Sequence, residues 1–410
     1  MYRFFGAGPG FGMADETNYQ MTGKNITVAV LALLLALPAS AQIRFKYDLD
    51  FNLMFDNREY DRNGFQESST LFGVRLAPTV GFDAAVGRTT HRFMAGVDAL
   101  SQFGTSDKEI TANLLCWYQL GMKYNETEFR LTAGLMPRRF MHSGLSPLFF
   151  SDYLMFYDNR LEGLILNWNR PKSNFELGID WLGMIGPRRR EEFMVFTSGK
   201  MRPLNWLMLN YDVYMLHYAC SFAVPQVCDN ILSEIAATFD FAPMTGLQAL
   251  SLQTGWIQTL QRDRANVGHF VAPFAGELVA TLQHWGAGVQ NRFVLGRNLM
   301  PYSHCIDSNG TPYEGNFYLG DPFFQLVDPS WSMWSDIGNG ETSDIQKGLY
   351  DRLELYYAPR ICRGVSLKLS VFFHFHKHQY SGTNQMFNLV FNLEELMAAV
   401  RERKNSPSIE

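Results

Sequence analysis

From Ile43 to Phe55 the chain reads IRFKYDLDFNLMF, with an apolar or aromatic residue at every odd position and a polar one at every even position except Met54. Successive side chains of a strand point to opposite faces, so this segment is a strand with one apolar and one charged face. Its length, about 13 residues, exceeds the five or six usual in soluble sheets. A tilted strand crossing a bilayer needs about 9–11. The charged face has no place in a protein core, and the apolar face none in water. Lipid on one side and a wet lumen on the other satisfy both.

The same alternation recurs along the chain. Further strands are expected over Leu71–Val86, Phe93–Ala99, Ile110–Lys123, Glu128–Leu135, Glu162–Asn169, Phe175–Trp181, Glu192–Ser198 and Leu204–Tyr218. Others follow over Ile231–Phe241, Leu247–Leu260, Phe274–Trp285, Ala287–Leu295, Leu349–Tyr357, Val365–His376 and Gln385–Leu393. Counted from a periplasmic N-terminus, the odd connections include Asp56–Thr70, Pro137–Arg160, Ala219–Asn230, Gln261–Pro273 and Gly296–Gly348, all long. The even ones include Gly87–Thr90, Asn125–Thr127, Arg170–Asn174, Ala242–Gly246, Gly286 and Ala358–Gly364, all short. Long extracellular loops and short periplasmic turns are the habit of outer-membrane barrels. The expected fold is all-β, a transmembrane antiparallel up-and-down β-barrel of about 16 strands, within about 14–18. The upper figure applies if the 296–348 connection holds a hairpin. A soluble sandwich would show strands of about five to seven residues with turns every 8–12. Runs this long with a charged second face do not fit one.

One continuous apolar run, Ile26–Pro38, is too short for a spanning helix of about 20 residues. It follows Lys24 and ends in Ala39-Ser40-Ala41, the layout of a secretory signal peptide. Met21 lies just upstream and is the expected translation start. Residues 1–41 are therefore read as an upstream extension plus signal peptide, 42–393 as the barrel, and 394–410 as a periplasmic tail.

Composition adds little against this. The 410 residues carry a net charge of −5, with no basic excess to attract nucleic acid. Mean hydropathy is −0.13, a soluble-looking value that alternating faces also produce. Of the five cysteines (116, 220, 228, 305 and 362), Cys220 and Cys228 bracket a short segment between two strands and are the disulfide candidates. Export into an oxidising compartment permits that bond. No C-x-x-C spacing occurs, and neither a metal nor a cofactor is expected.

Candidate chemistry concentrates in two places. The third extracellular connection, Pro137–Arg160, carries Arg138, Arg139, Asp152, Asp158 and Arg160 beside an aromatic patch. Folded into the barrel, these opposed charges would set a constriction filtering solutes by size and charge. Packed on the rim, the aromatics would simply give the loop a core. The expected lumen lining is Arg44, Lys46, Asp48, Asp50, Arg75, Asp83, Arg92, Asp98, Lys123, Glu128, Arg130, Glu176, Asp180, Glu277, Arg352, Glu354 and Lys368. These are mixed in sign, which implies weak selectivity. His374, His376 and His378 alternate on one face of a strand and are expected as hydrated lumen or rim residues. No G-x-S-x-G occurs and the histidine run points inward, so no enzyme is expected. The aromatic-rich 296–348 connection suits contact with an extracellular glycan or protein partner.

Together the signal Lys24–Ala41, the strand Ile43–Phe55 and the alternation through Leu393 resemble porin-like outer-membrane barrels of Gram-negative bacteria. The segments AGLMPRRF (Ala133–Phe140) and FFSDYLMFYDNRLEGL (Phe149–Leu164) resemble a pattern recurrent in barrels of the Bacteroidetes type. Porin-like barrels fold the third extracellular loop into the lumen and commonly form homotrimers. The resemblance thus implies an outer-membrane channel, surrounded by lipid, for passive and weakly selective diffusion of small hydrophilic solutes. The alternative expectation is a barrel whose external loops bind a glycan or protein with little transport. The chain departs from the family in ending on a polar tail after Phe391, whereas such barrels end on an aromatic residue.

Overall fold

The computed structural model describes residues 42–61, 66–104, 110–141, 146–186, 190–219, 227–264, 269–301, 318–327 and 347–405. The expected signal peptide, Cys220, Cys305 and most of the 296–348 connection lie outside these residues. In chain order the strands are β1 (Gln42–Tyr60), β2 (Ser69–Val86), β3 (Thr89–Gln102), β4 (Ile110–Tyr124), β5 (Thr127–Pro137) and β6 (Arg160–Arg170). Next come β7 (Ser173–Gly183), β8 (Glu192–Leu204), β9 (Leu207–Tyr218), β10 (Cys228–Asp240), β11 (Ala249–Asp263) and β12 (Phe274–His284). The set ends with β13 (Ala287–Arg297), β14 (Lys347–Tyr357), β15 (Arg360–Cys362), β16 (Val365–His376) and β17 (Gln379–Asn392).

All belong to one 17-stranded sheet in which neighbours in sequence pair antiparallel. β1 pairs with β17 from Asp50↔Asn392 to Tyr60↔Gly382, which closes the ring. β15 has 3 residues, and β14 pairs directly with β16, so sixteen strands make the wall. The expected fold is thus the observed one. Closure is what a bilayer demands, because an open sheet edge would leave backbone N–H and C=O groups unpaired in hydrocarbon. The protein lies in the outer membrane.

Several strands run past the bounds expected from sequence, and two of the changes move a turn. β8 runs on to Leu204, and the turn falls at Asn205–Trp206, because Met201, Leu204 and Leu207 keep the chain apolar through the bend. β17 starts at Gln379, after a two-residue extracellular turn in which Lys377 and His378 both take positive φ (48° and 67°). Two adjacent left-handed residues make the tight hairpin turn that suits twisted strands. His378 therefore sits in a turn and does not continue the histidine row.

The alternation is visible in exposure. On β2, Phe72, Leu76, Val80 and Phe82 face out, while Arg75, Ala77 and Thr79 are buried inside. The interior, however, is not wet throughout. Leu115, Trp117, Met194, Phe196, Leu216, Leu232 and Ile257 point inward from the wall toward the extracellular half and form one buried cluster. It is completed by Leu148, Phe149 and Phe150 of the third extracellular connection and by Tyr318, Phe323, Phe324 and Leu326 of the seventh. The upper lumen thus holds a dry core, and the expectation of a wet lumen is corrected there. A helix at the periplasmic end, Leu393–Asn405, follows β17.

Candidate functional site

Two arrangements of polar side chains stand out, one holding the plug and one on the outer rim.

The plug is seated by arginines. Pro137 ends β5, and the single turn Arg138–Phe140 carries the chain inward. Arg138, only 1% exposed, donates to Asp180 Oδ2 (2.7 Å), Asp158 Oδ2 (3.0 Å) and the carbonyls of Asp158 (2.8 Å) and Arg160 (3.1 Å). A guanidinium this buried is tolerable only when its donors find acceptors, and here a carboxylate from the wall and one from the loop supply them. Arg139 links to β1, donating to Asp50 Oδ2 (2.7 Å) and Asp48 Oδ2 (2.9 Å). Arg75 pairs with Asp98 and donates to the carbonyls of Phe156 and Tyr157, at the end of the short helix Asp152–Tyr157. Ser151 caps that helix by accepting from the Leu154 N–H (3.1 Å).

Asp152 borders a small polar cavity of about 30 Å³, lined among others by Asp56, Arg58, Asp321, Arg352 and His374. That is room for about one water. Burial holds the Asp321 carboxyl above its ordinary value, with Arg352 opposing the shift. His374 bonds to the wall residues Tyr350 (hydroxyl, 2.6 Å) and Asn384 (Oδ1, 2.7 Å) and stacks on Phe323 at 4.6 Å, and His376 bonds to the Leu326 carbonyl (2.5 Å), so both bear on the plug.

Of the expected loop charges, Arg138 and Asp158 pair with each other, Arg139 reaches Asp48 and Asp50 of β1 instead, and Asp152 lies apart from them beside Asp321 and Arg352. Arg160 pairs with Glu162 on the outward face of β6. The other lining residues face inward but pair locally. Lys46 and Arg92 meet Asp83 and Glu394 near the periplasmic mouth, Lys368 meets Glu354, Arg130 meets Glu128, Arg292 meets Glu277, and Glu176 accepts from Asn167. Arg44 and Lys123 are exposed at the periplasmic end. Among the described residues, no three His, Cys, Asp or Glu side chains are grouped to hold a metal ion.

The second arrangement was not anticipated. Asp229, at the top of β10, stands opposite His217 of β9 and Arg262 of β11. All three share the faces that carry Ile235 (68% exposed), Leu209 and Trp256 (51% exposed), so they point away from the lumen. His217 Nδ1 lies 3.2 Å from Asp229 Oδ1. Arg262 Nη2 reaches Asp229 Oδ2 at 2.8 Å, and Arg264 binds both oxygens, at 2.8 and 2.9 Å. Phe193 packs its ring 4.8 Å from His217 with Trp181 stacked beyond it, and Phe270 lies under Arg262 at 4.4 Å. His217 is about ten residues above the Asn205–Trp206 turn, the length of a full crossing, which puts the group at the level of the outer leaflet's polar region.

The sequence reading placed Asp229 and Arg262 in loops by ending the strands at Ile231 and Leu260. Extending the two-residue period from Ile235 through Ser233 and Ile231 reaches Asp229. From Trp256 through Gln258 and Leu260 it reaches Arg262. Polar residues on the apolar face were the signal.

Solved outer-membrane barrels resemble the chain in fold. A loop-deletion form of OmpT of Vibrio cholerae is 8% identical at TM-score 0.47, covering 86% of this chain and 99% of its own. OmpF of Salmonella typhi with daunomycin is 9% identical at TM-score 0.46, covering 85% and 97%. OpdL of Pseudomonas aeruginosa is 10% identical at TM-score 0.40, covering 85% and 98%. No curated protein matches in sequence. A profile of the lipid A 3'-O-deacylase type matches residues 38–266, which holds β1 to β11 and all four rim residues. That family is named for an enzyme, so the expectation of a barrel without catalytic activity is withdrawn. Matched over more than half of its length, the chain belongs to the lipid A 3'-O-deacylase-type family.

Proposed function

We propose that this protein hydrolyses an acyl ester of an outer-leaflet lipid of the lipid A type, at the outward-facing rim group. The observation that carries the reading is His217 paired through Nδ1 with Asp229 at headgroup level, beside two guanidinium groups. A carboxylate at Nδ1 fixes the imidazole tautomer and leaves Nε2 as the basic nitrogen. His217 then removes a proton from water as the water oxygen attacks the ester carbonyl. Arg262 and Arg264 stand where they can balance the charge of the tetrahedral oxyanion or of a lipid phosphate. His217 returns the proton to the departing sugar oxygen, and the products are a fatty acid and a lipid alcohol. Asp229 and His217 act as positioning group and base.

The test is fatty-acid release from lipid A by the purified, detergent-solubilised barrel, followed by mass spectrometry. Release that His217→Ala abolishes while the barrel stays folded supports the reading. Equal release by wild type and His217→Ala removes the rim site from the reaction.

A second reading keeps the barrel as a weakly selective route for small hydrophilic solutes. It draws on the charged lower lumen and the polar cavity beside Asp152. It requires the dry plug to move, and conductance in a planar bilayer reports whether it does.

A further inference from the structure

In the middle of β13 and β14 the apolar belt carries two polar residues side by side. On the outward faces of these strands the register stacks Leu295 with Leu349, Phe293 with Asp351, Asn291 with Leu353, and Val289 with Leu355. Asp351 therefore has Leu349 and Leu353 above and below it, and Asn291 has Phe293 and Val289, so the pair lies within the lipid-facing band, not at its rim. Asn291 Nδ2 donates to Asp351 Oδ1 at 2.6 Å. Among the described residues, neither the other Asp351 oxygen nor the remaining donor and acceptor of the Asn291 amide has a hydrogen-bond partner. Acyl chains offer none. Polar and charged groups exposed to hydrocarbon are costly, and in membrane proteins they commonly serve as contacts between protein segments.

The surroundings fit a protein neighbour. On β12, Ala280 stands level with Asn291 and Gly276 level with Leu295. A Cβ added at Gly276 would meet only open space, so this side of the pair is flat and admits close approach of another backbone. Two residues below Leu353 begins an apolar groove of about 570 Å³ lined by Phe55, Leu355, Tyr357, Leu369, Val371 and Phe387. It offers a recess for projecting side chains.

We infer that the β12–β14 face is the interface between two copies of this chain related by a two-fold axis in the outer membrane. A two-fold contact is self-complementary: each residue meets the partner's counterpart pair. The second amide proton of Asn291 then donates to the partner's Asp351 and the reverse holds equally, so both copies satisfy both groups. A lipid supplies donors only from its headgroup, which the height of the pair excludes. A three-fold arrangement would bring this face against a different one and leave the pair unmatched.

The experiment uses the full chain in native outer membranes and in mild detergent. Leu353→Cys, beside the two-fold axis that the reciprocal pair sets between β13 and β14, should give a disulfide-linked dimer on oxidation, whereas Leu114→Cys, exposed on β4, should not. Native mass spectrometry should show a dimer for wild type, and Asp351→Leu should weaken it at least tenfold while heat-dependent gel migration confirms an intact barrel. Asn291→Leu should act in the same direction. A wild-type monomer, a trimer, a dimer indifferent to Asp351→Leu, or a monomer carrying a lipid that Asp351→Leu releases would each overturn the inference.

Discussion

Replacing Arg138 with Ala is the sharpest probe of the plug. The wild-type guanidinium makes four hydrogen bonds, two to carboxylates and two to carbonyls, from a position 1% exposed. Hydrogen bonds to charged groups contribute roughly 1.5–3 kcal/mol each, but they do not add, since the arginine also loses its hydration. The larger effect is on what stays behind. Asp180 is fully buried and keeps only the Glu162 N–H (2.9 Å). Removing one member of a buried pair costs about 3–5 kcal/mol. At about 1.4 kcal/mol per tenfold, the seated plug loses a factor of roughly 10² to 10³ against the unseated one. Arg139 is the control, because it bridges to Asp48 and Asp50 while 38% exposed. Screened by water, that pairing is worth on the order of 1 kcal/mol. Single-channel recording in a planar bilayer should therefore show far more frequent openings for Arg138→Ala than for wild type, and only a few-fold more for Arg139→Ala. If inserted, heat-modifiable Arg138→Ala barrels stay as closed as wild type, the arginine does not seat the plug.

At the rim, His217→Ala should lower fatty-acid release by about 10² to 10⁴, the usual worth of a general base, and Asp229→Asn should lower it without unfolding the barrel. Unchanged release after either substitution refutes the assignment. The plug should also respond to pH. Asp321, on the second in-folded segment, is held above its ordinary value chiefly by burial. A carboxyl raised in the folded state favours it when protonated, so its contribution is full below the ordinary carboxylate range and fades as pH rises through the raised value. Arg352, Arg58 and Asp56 face Asp321 and do not reverse that direction. Openings should be rarer at about pH 4 than at about pH 8, and the opposite order would count against the plug's carboxyl. Gly134, at φ 127°, has no room for a side chain, since a Cβ would lie 2.3 Å from the Cys116 carbonyl. Gly134→Val should cost roughly 1–3 kcal/mol in urea unfolding, and a variant as stable as wild type would show that the strand can shift.

The segments AGLMPRRF and FFSDYLMFYDNRLEGL now have a physical content. Gly134 and Gly163 face each other across β5 and β6, where the chain prepares to leave the wall. Arg138 and Arg139 anchor the turn inward, Phe149 and Phe150 enter the core, and Ser151 and Asp152 open the helix whose end Arg75 holds. That these residue types recur together was legible, but which partners they take was not. Asp48, Asp98 and Asp180 lie far along the chain, and nothing local marks them as the acceptors.

By itself the sequence determined the barrel, a strand count of about 14–18, which end carries the long loops, and which face of most strands meets lipid. A period of two is a local property: it follows from one strand's geometry and from the hydrocarbon outside, and needs no knowledge of neighbours. Only the tertiary structure decided the rest. Leu115, Trp117 and Phe196 break the polar face because loops from elsewhere in the chain cover them. His217, Asp229 and Arg262 become a site because the strand register places them side by side, and Asn291 meets Asp351 across 60 residues. Those groupings depend on register and closure, which pair residues distant in sequence, and alternation carries no record of the partner.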